Sequence, residues 1–188
     1  MDLAGLINMA IEIEKKYRIS VEQLSEVSAS LKDFGAVFVR EDFEENILYR
    51  GGILDTKPSV FRLRKIGEKG VLTYKEPIIS DLAIKQRLEH ETEISNIDSM
   101  EKIIAGLGLS PILIYEKRRK IWHFRSVEIV LDELPFGLFM EIEGSITSIA
   151  EAEMILEIEH FEAEHQSYPS LTMKHGKNIN DVFESRFL

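Results

Sequence analysis

Five stretches of this chain place charged side chains at every second position. Successive side chains of a β-strand point to opposite faces, so residues two apart share a face. Read as strands, Glu12, Glu14 and Lys16 share one face, and Met9, Ile11 and Ile13 share the other. Arg62 and Arg64 oppose Phe61 and Leu63; Lys117 lies beside Arg119; Glu141 and Glu143 oppose Met140 and Ile142. In the longest run, Lys85, Arg87, Glu89, Glu91 and Glu93 fall together. A solvated sheet face usually mixes Thr, Ser and Gln with its charges. Here the faces are nearly pure charge and divide by sign. Arg62, Arg64, Lys75, Lys117 and Arg119 form a basic set; Glu12, Glu14, Asp132, Glu141 and Glu143 form an acidic one.

Strands of this kind must cover their apolar faces with helices or with one another. A closed barrel of about eight strands satisfies the pattern if the charged faces point inward, because its bore admits side chains or one small ligand. Burying so many ions unpaired is prohibitive. The expected bore therefore holds water and compensating ions, with a polyanion against the basic side and divalent cations on the acidic side. A formal net charge of −10 opposes binding to nucleic acid or anionic membranes unless basic residues are gathered in one place. The expected partner is a small phosphate-chain molecule, with no nucleic acid and no membrane.

The 188 residues fit one domain, and a hydrophobic fraction of 44% supports a sizeable core. Having no cysteine, the chain has no disulfides, thiolate metal sites or cysteine nucleophiles, and a cytoplasmic location is expected. No apolar run reaches the roughly 20 residues of a membrane span, and the N-terminal stretch lacks the marks of a signal peptide.

Strands are predicted at Met9–Tyr17, Ala36–Arg40, Asn46–Arg50, Val60–Ile66, Gly70–Glu76, Lys85–Ile94, Leu113–Phe124, Ser126–Leu134 and Phe139–Glu143. The links between them are mostly short, which favours antiparallel pairing. A helix over Val21–Asp33 opens with a Ser20–Gln23 capping box and stops before Gly35. Asp98 and Glu101 are expected to open a second helix, Ser99–Leu107; Ser148 and Glu151 a third, running to about Glu159. A short strand and a helical turn near Ser170–His175 are expected in the tail.

These motifs, in this order, resemble the signature of the CYTH superfamily, the triphosphate tunnel metalloenzymes. Glu12, Glu14 and Lys16 form its E-x-E-x-K triplet; FRLRK, LTYKEP, KQRLEHETEI, YEKRRKIW, VLDELPFGLFMEIEG and SYPSL follow as the family pattern does. The resemblance covers nearly the whole chain and implies an α+β, mainly β fold: an eight-stranded antiparallel closed tunnel barrel with helices packed outside. It further implies that Lys16, Arg62, Arg64, Lys75, Arg87, Lys117 and Arg119 hold a triphosphate. Glu12, Glu14, Glu91, Glu93, Asp132, Glu141 and Glu143 are implied as ligands of Mg2+ or Mn2+, with Glu12, Glu14 and Lys16 at the catalytic centre. Arg50 stands where many members carry an aspartate after the tyrosine. Members occur as monomers or homodimers.

The family includes class IV adenylate cyclases, thiamine triphosphatases and inorganic tripolyphosphatases. The resemblance thus implies hydrolysis of a tripolyphosphate or of a nucleoside or thiamine triphosphate. Cyclisation of ATP to cyclic AMP and pyrophosphate is a second reading, and non-catalytic polyphosphate binding a third. Trp122, His123 and Phe124 read as packing at a strand end, Tyr168 as a core or rim residue, and Gly51–Gly52 as a turn.

Overall fold

The computed structural model describes residues 13–78 and 86–188. In chain order these form β1 (Glu14–Ile19), α1 (Val21–Asp33), β2 (Val37–Arg50), a 3-10 turn (Gly52–Thr56), β3 (Val60–Ile66), β4 (Lys69–Ile78), β5 (Gln86–Ile94) and α2 (Ile97–Gly106). They continue with β6 (Ser110–Phe124), β7 (Val127–Leu134), β8 (Gly137–Glu143), α3 (Ile146–Leu156), β9 (Glu162–Ala163), α4 (Tyr168–His175), β10 (Lys177–Ile179) and β11 (Val182–Ser185). The fold is mainly antiparallel β, as expected, with four α-helices among the described residues. The hydrogen-bonded strand order is β5-β4-β3-β2-β6-β7-β8-β1-β9. Among the described residues no hydrogen-bonded ladder joins the two ends of that order. No described helix is long and apolar enough to cross a membrane.

The chain divides into two compact units, one built on Asn46–Ile112 and the other on residues 13–45 with Leu113–Leu188. In the second unit, β6, β7, β8 and β1 pair antiparallel in sequence, and β9 adds to β1. The register places Tyr17, Ile19, Trp122, Phe124, Val127, Ile129, Leu131, Met140 and Ile142 on one face. That face packs under Val27 and Leu31 of α1 and Ile149, Ala152 and Leu156 of α3. Within each helix these residues recur at three- and four-residue spacings, the stripe that a helix turns toward a core. The Ser20–Gln23 box opens α1 as expected, with Gln23 N donating to Ser20 Oγ at 3.2 Å and Ser20 N to Gln23 Oε1 at 2.9 Å.

Glu153 of α3 ties this layer to β1. The Tyr17 hydroxyl donates to Glu153 Oε1 at 2.5 Å, and the Lys15 ammonium pairs with the same oxygen. Burial would raise the Glu153 carboxyl, but hydrogen bonds from Lys15 and Tyr17 hold it below its ordinary value.

The first unit is a β3-β4-β5 meander, antiparallel throughout. Leu63 of β3 and Ile104 of α2 are almost wholly buried in it.

Several boundaries differ from expectation. The two short strands predicted around Glu41–Glu45 are one strand, β2. The acidic run stays extended because its side chains find bases: Arg40 bonds Asp42 at 2.7 Å, and Glu44 is buried against Lys117 at 3.3 Å. Asn96, not Asp98, caps α2 by accepting from Ser99 N at 2.9 Å, which leaves Glu101 to pair with Lys65 at 2.7 Å. Ser145, not Ser148, caps α3, and Glu151 reaches Arg125 at 2.6 Å instead. The β10–β11 hairpin was not expected. Its second strand runs parallel to the start of β6, and Arg186 beyond it bonds Glu184 at 2.6 Å and Glu116 at 3.0 Å. The start of the first predicted strand, with Glu12, and Lys85 in the sixth lie outside the described residues.

Candidate functional site

The face of the second unit turned away from its apolar core carries Lys117 and Arg119 on β6, Asp132 on β7, Glu141 and Glu143 on β8, and Glu14 and Lys16 on β1. Arg119 lies directly opposite Asp132, and Glu141 directly opposite Lys16. Asp132 faces Phe139 and Glu141 faces Val130, so the two base–acid pairs are staggered by two residues along the ladder. Arg119 donates through Nε to Asp132 Oδ1 at 2.7 Å and through Nη2 to Asp132 Oδ2 and to Glu141 Oε2, the latter at 2.6 Å. The other oxygen of Glu141 lies 3.0 Å from Lys16 Nζ, which also donates to the Gln166 carbonyl at 3.4 Å. Lys117 Nζ lies 3.3 Å from Glu44 and 3.7 Å from Asp132.

These ions are deeply buried: Lys117 is 2% exposed, Asp132 1%, Glu141 7% and Lys16 9%. Burial pushes the Lys117 ammonium down to about 8, with the Arg119 charge adding to the effect and Asp132, Glu44 and Glu141 opposing it. Burial alone would raise the Asp132 carboxyl, yet the Arg119 and Lys117 charges hold it well below the usual carboxylate range. Burial also pushes the Tyr168 phenol well above its ordinary value, and the Asp132 and Glu141 charges add to that. Its hydroxyl thus stays protonated and donates to Asp132 Oδ2 at 2.7 Å.

In this unit the inverted faces predicted from alternation are present, with apolar side chains under helices and ions on the other side. Part of the neutralisation expected of ligand and solvent ions comes from the protein itself. Lys16, Lys117 and Arg119 each meet a carboxylate of the protein itself. Bases and acids fall in adjacent strands, so they neutralise one another at bonding distance.

The first unit has a charged face of its own. The register aligns Arg62 with Thr73 and Glu91, Arg64 with Val71 and Glu93, and Val60 with Lys75 and Glu89. Arg62 Nη2 donates to Thr73 Oγ1 at 3.3 Å, and that hydroxyl donates to Glu91 Oε2 at 2.9 Å. Lys75 pairs with Glu89 at 2.7 Å. Arg87 lies opposite Pro77 at the far end of the same ladder.

Glu44 and Tyr168 complete the second unit's cluster and were not singled out as site residues from the sequence. Glu44 had a signal, since Asp42, Glu44 and Asn46 alternate, but the surrounding acidic run masked it. Tyr168, within the SYPSL segment and read from the sequence as a core or rim residue, is the first residue of α4.

Among the described residues, no three His, Asp or Glu side chains converge in a metal-ligating geometry. The donor chemistry nevertheless fits a hard divalent cation, which prefers carboxylate oxygens. Asp132 and Glu141 already share one cationic atom, Arg119 Nη2, and Glu14 faces Glu143 across β1 and β8.

The sequence profile of the CYTH domain matches residues 10–173. The chain belongs to the CYTH family. A curated relative from Methanocaldococcus jannaschii, named "Putative adenylate cyclase MJ0240", is 31% identical over 148 residues, covering 77% of this chain and 84% of its own length. The PH1819 protein of Pyrococcus horikoshii OT3 superposes with a TM-score of 0.70 at 27% identity, over 87% of this chain and 98% of that one. HpAC1 from Hippeastrum, described as having a dominant triphosphatase activity, superposes with a TM-score of 0.61 at 19% identity, over 84% of this chain and 92% of its own. This last likeness is one of fold.

Proposed function

We propose that this CYTH protein hydrolyses a triphosphate, inorganic or esterified, with the help of Mg2+ or Mn2+. The observation that carries the reading is the cluster in which Arg119 bonds the buried Asp132 and Glu141, and Glu141 pairs with the buried Lys16. Buried ion pairs add little stability over well-packed apolar residues, so stability alone does not account for such a cluster. Guanidinium groups suit phosphate because they donate in pairs, and lysine adds a point charge. Lys16, Lys117 and Arg119 would bind phosphate oxygens in the second unit, and Arg62, Arg64, Lys75 and Arg87 are proposed for the same role in the first.

Asp132, Glu141, Glu143, Glu14 and Glu12 would hold the metal, with Glu91 and Glu93 as further candidates. When bound, such a cation offsets charge on phosphoryl oxygens and lowers the pKa of a coordinated water. The basic side chains then hold the phosphate chain in line, and phosphoryl transfer asks for little else. Asp132 and Glu141 would hold the metal, and Lys16, Lys117 and Arg119 the phosphate chain.

A second reading is formation of cyclic AMP, in which the 3′-hydroxyl of ATP attacks the α-phosphorus and pyrophosphate leaves. The name of the Methanocaldococcus relative favours it.

Incubation with tripolyphosphate or ATP and Mg2+ or Mn2+, followed by separation of the products, tests both readings. Free phosphate supports hydrolysis, and cyclic AMP with pyrophosphate supports the second reading. No turnover leaves a binding protein. Activity that survives joint replacement of Glu141 and Glu143 by alanine refutes the metal assignment. Lys16→Ala and Arg64→Ala are expected to weaken substrate binding.

A further inference from the structure

Tyr168 touches both signs of charge in the second unit's cluster. Its hydroxyl donates to Asp132 Oδ2 at 2.7 Å, while Lys16 Nζ stands over its ring, 4.1 Å from the centroid, and Lys117 Nζ is 5.4 Å from it. An ammonium over a tyrosine face is attracted by the ring quadrupole, more so where water is excluded. Phe139 meets the ring edge-on at 5.4 Å. The backbone beneath is also fixed. Ser167 caps α4 by accepting from Ser170 N at 3.3 Å, and Thr172 Oγ1 donates to the Tyr168 carbonyl at 2.8 Å. At the other end of α4, a Cβ on Gly176 would lie 2.6 Å from the Thr172 carbonyl oxygen and 2.8 Å from that of Glu184, so helix and hairpin sit in close contact.

We propose that Tyr168 is a positioning residue with two separable parts: its hydroxyl orients the Asp132 carboxylate, and its ring face holds the Lys16 ammonium in place. The proposal rests on the functional reading above, in which Asp132 meets the metal and Lys16 the phosphate. A tyrosine that merely fills space would affect both through the fold alone and would not split them. Tyr168→Phe removes one part and Tyr168→Leu removes both.

Three measurements test it. In metal-free protein, the Lys16 side-chain methylene protons should show an upfield ring-current shift in the NMR spectrum, kept in Tyr168→Phe and lost in Tyr168→Leu. Calorimetric titration with Mn2+ should show affinity about tenfold weaker in Tyr168→Phe, the loss typical of removing a hydrogen bond that orients a metal-binding group. In phosphate release from tripolyphosphate, Tyr168→Phe should keep the wild-type KM, and Tyr168→Leu should raise it about fivefold, as expected for loss of a cation–π contact. The proposal is overturned if wild-type Lys16 shows no ring-current shift, if wild-type protein does not bind Mn2+, or if Tyr168→Phe binds Mn2+ like wild type. If Tyr168→Leu does not fold, the wild-type spectrum and Tyr168→Phe decide alone. If wild-type protein turns over no triphosphate, the proposed activity fails, while the NMR and calorimetric results still decide the role of Tyr168.

Discussion

Arg119 grips Asp132 across the β6–β7 pair with two of its nitrogens and extends one of them to Glu141 on β8. Asp132→Ala would take from Arg119 its two-nitrogen partner and from Lys117 a carboxylate 3.7 Å away. Breaking a buried pair from one side is expected to cost about 3 kcal/mol. Urea unfolding at neutral pH would measure the loss; an unchanged midpoint and slope would contradict it.

Acid should act on the same carboxylate. The folded-state pKa of Asp132 is depressed below its ordinary 3.8, so its contribution is fully present above that value. It is lost as the pH falls below 3.8 and through the lower folded-state value. Urea midpoints measured from about pH 5 down to about pH 2 should fall more steeply for wild type than for Asp132→Asn.

Lys117 works in the opposite sense. With its folded-state pKa near 8 against an ordinary 10.5, the unfolded chain retains a proton that the folded chain has released between those values. Raising the pH across that window favours the folded state relative to Lys117→Met. The charge itself disappears as the pH rises through about 8, so tripolyphosphate binding without metal should weaken there. Lys117→Arg, which stays charged, should flatten that dependence. Calorimetry at a series of pH values reads it directly.

On the reverse face, Glu153→Ala should leave the Tyr17 hydroxyl buried without its acceptor and the Lys15 ammonium without its partner. An orphaned buried donor costs about 2 kcal/mol. Adding Tyr17→Phe to Glu153→Ala should recover part of that loss, because no polar group is then stranded. Thermal unfolding of the two variants beside wild type would show it.

The strand faces were legible because alternation is a local property. Glu141 and Glu143 oppose Met140 and Ile142 whatever their strand pairs with, and α1 was legible because Ser20 and Gln23 bond each other three residues apart. Cross-strand pairing was not legible. That Arg119 meets Asp132, and Lys16 meets Glu141, depends on turn lengths and strand order, which no single stretch encodes. Glu44 was hidden in an acidic run that read as a break, because the base that neutralises it lies 73 residues along the chain, at Lys117. Tyr168 reaches Asp132 only through the docking of α4. The packing expected of the aromatic cluster holds for Trp122 and Phe124 but not for His123. Trp122 is buried edge-on to Phe38, Phe124 lies in the core, and His123 is exposed.

The carboxylates already serve as intramolecular counter-ions to the lysines and the arginine of the second unit's cluster. Recombinant protein should emerge from purification intact and vacant after exhaustive dialysis against chelator. Its affinity for metal alone, and for phosphate chains alone, can then be titrated from a clean baseline. Whatever enters must outbid bonds the protein already makes to itself, so a lone chloride or a single orthophosphate is a poor competitor for a longer, more highly charged guest.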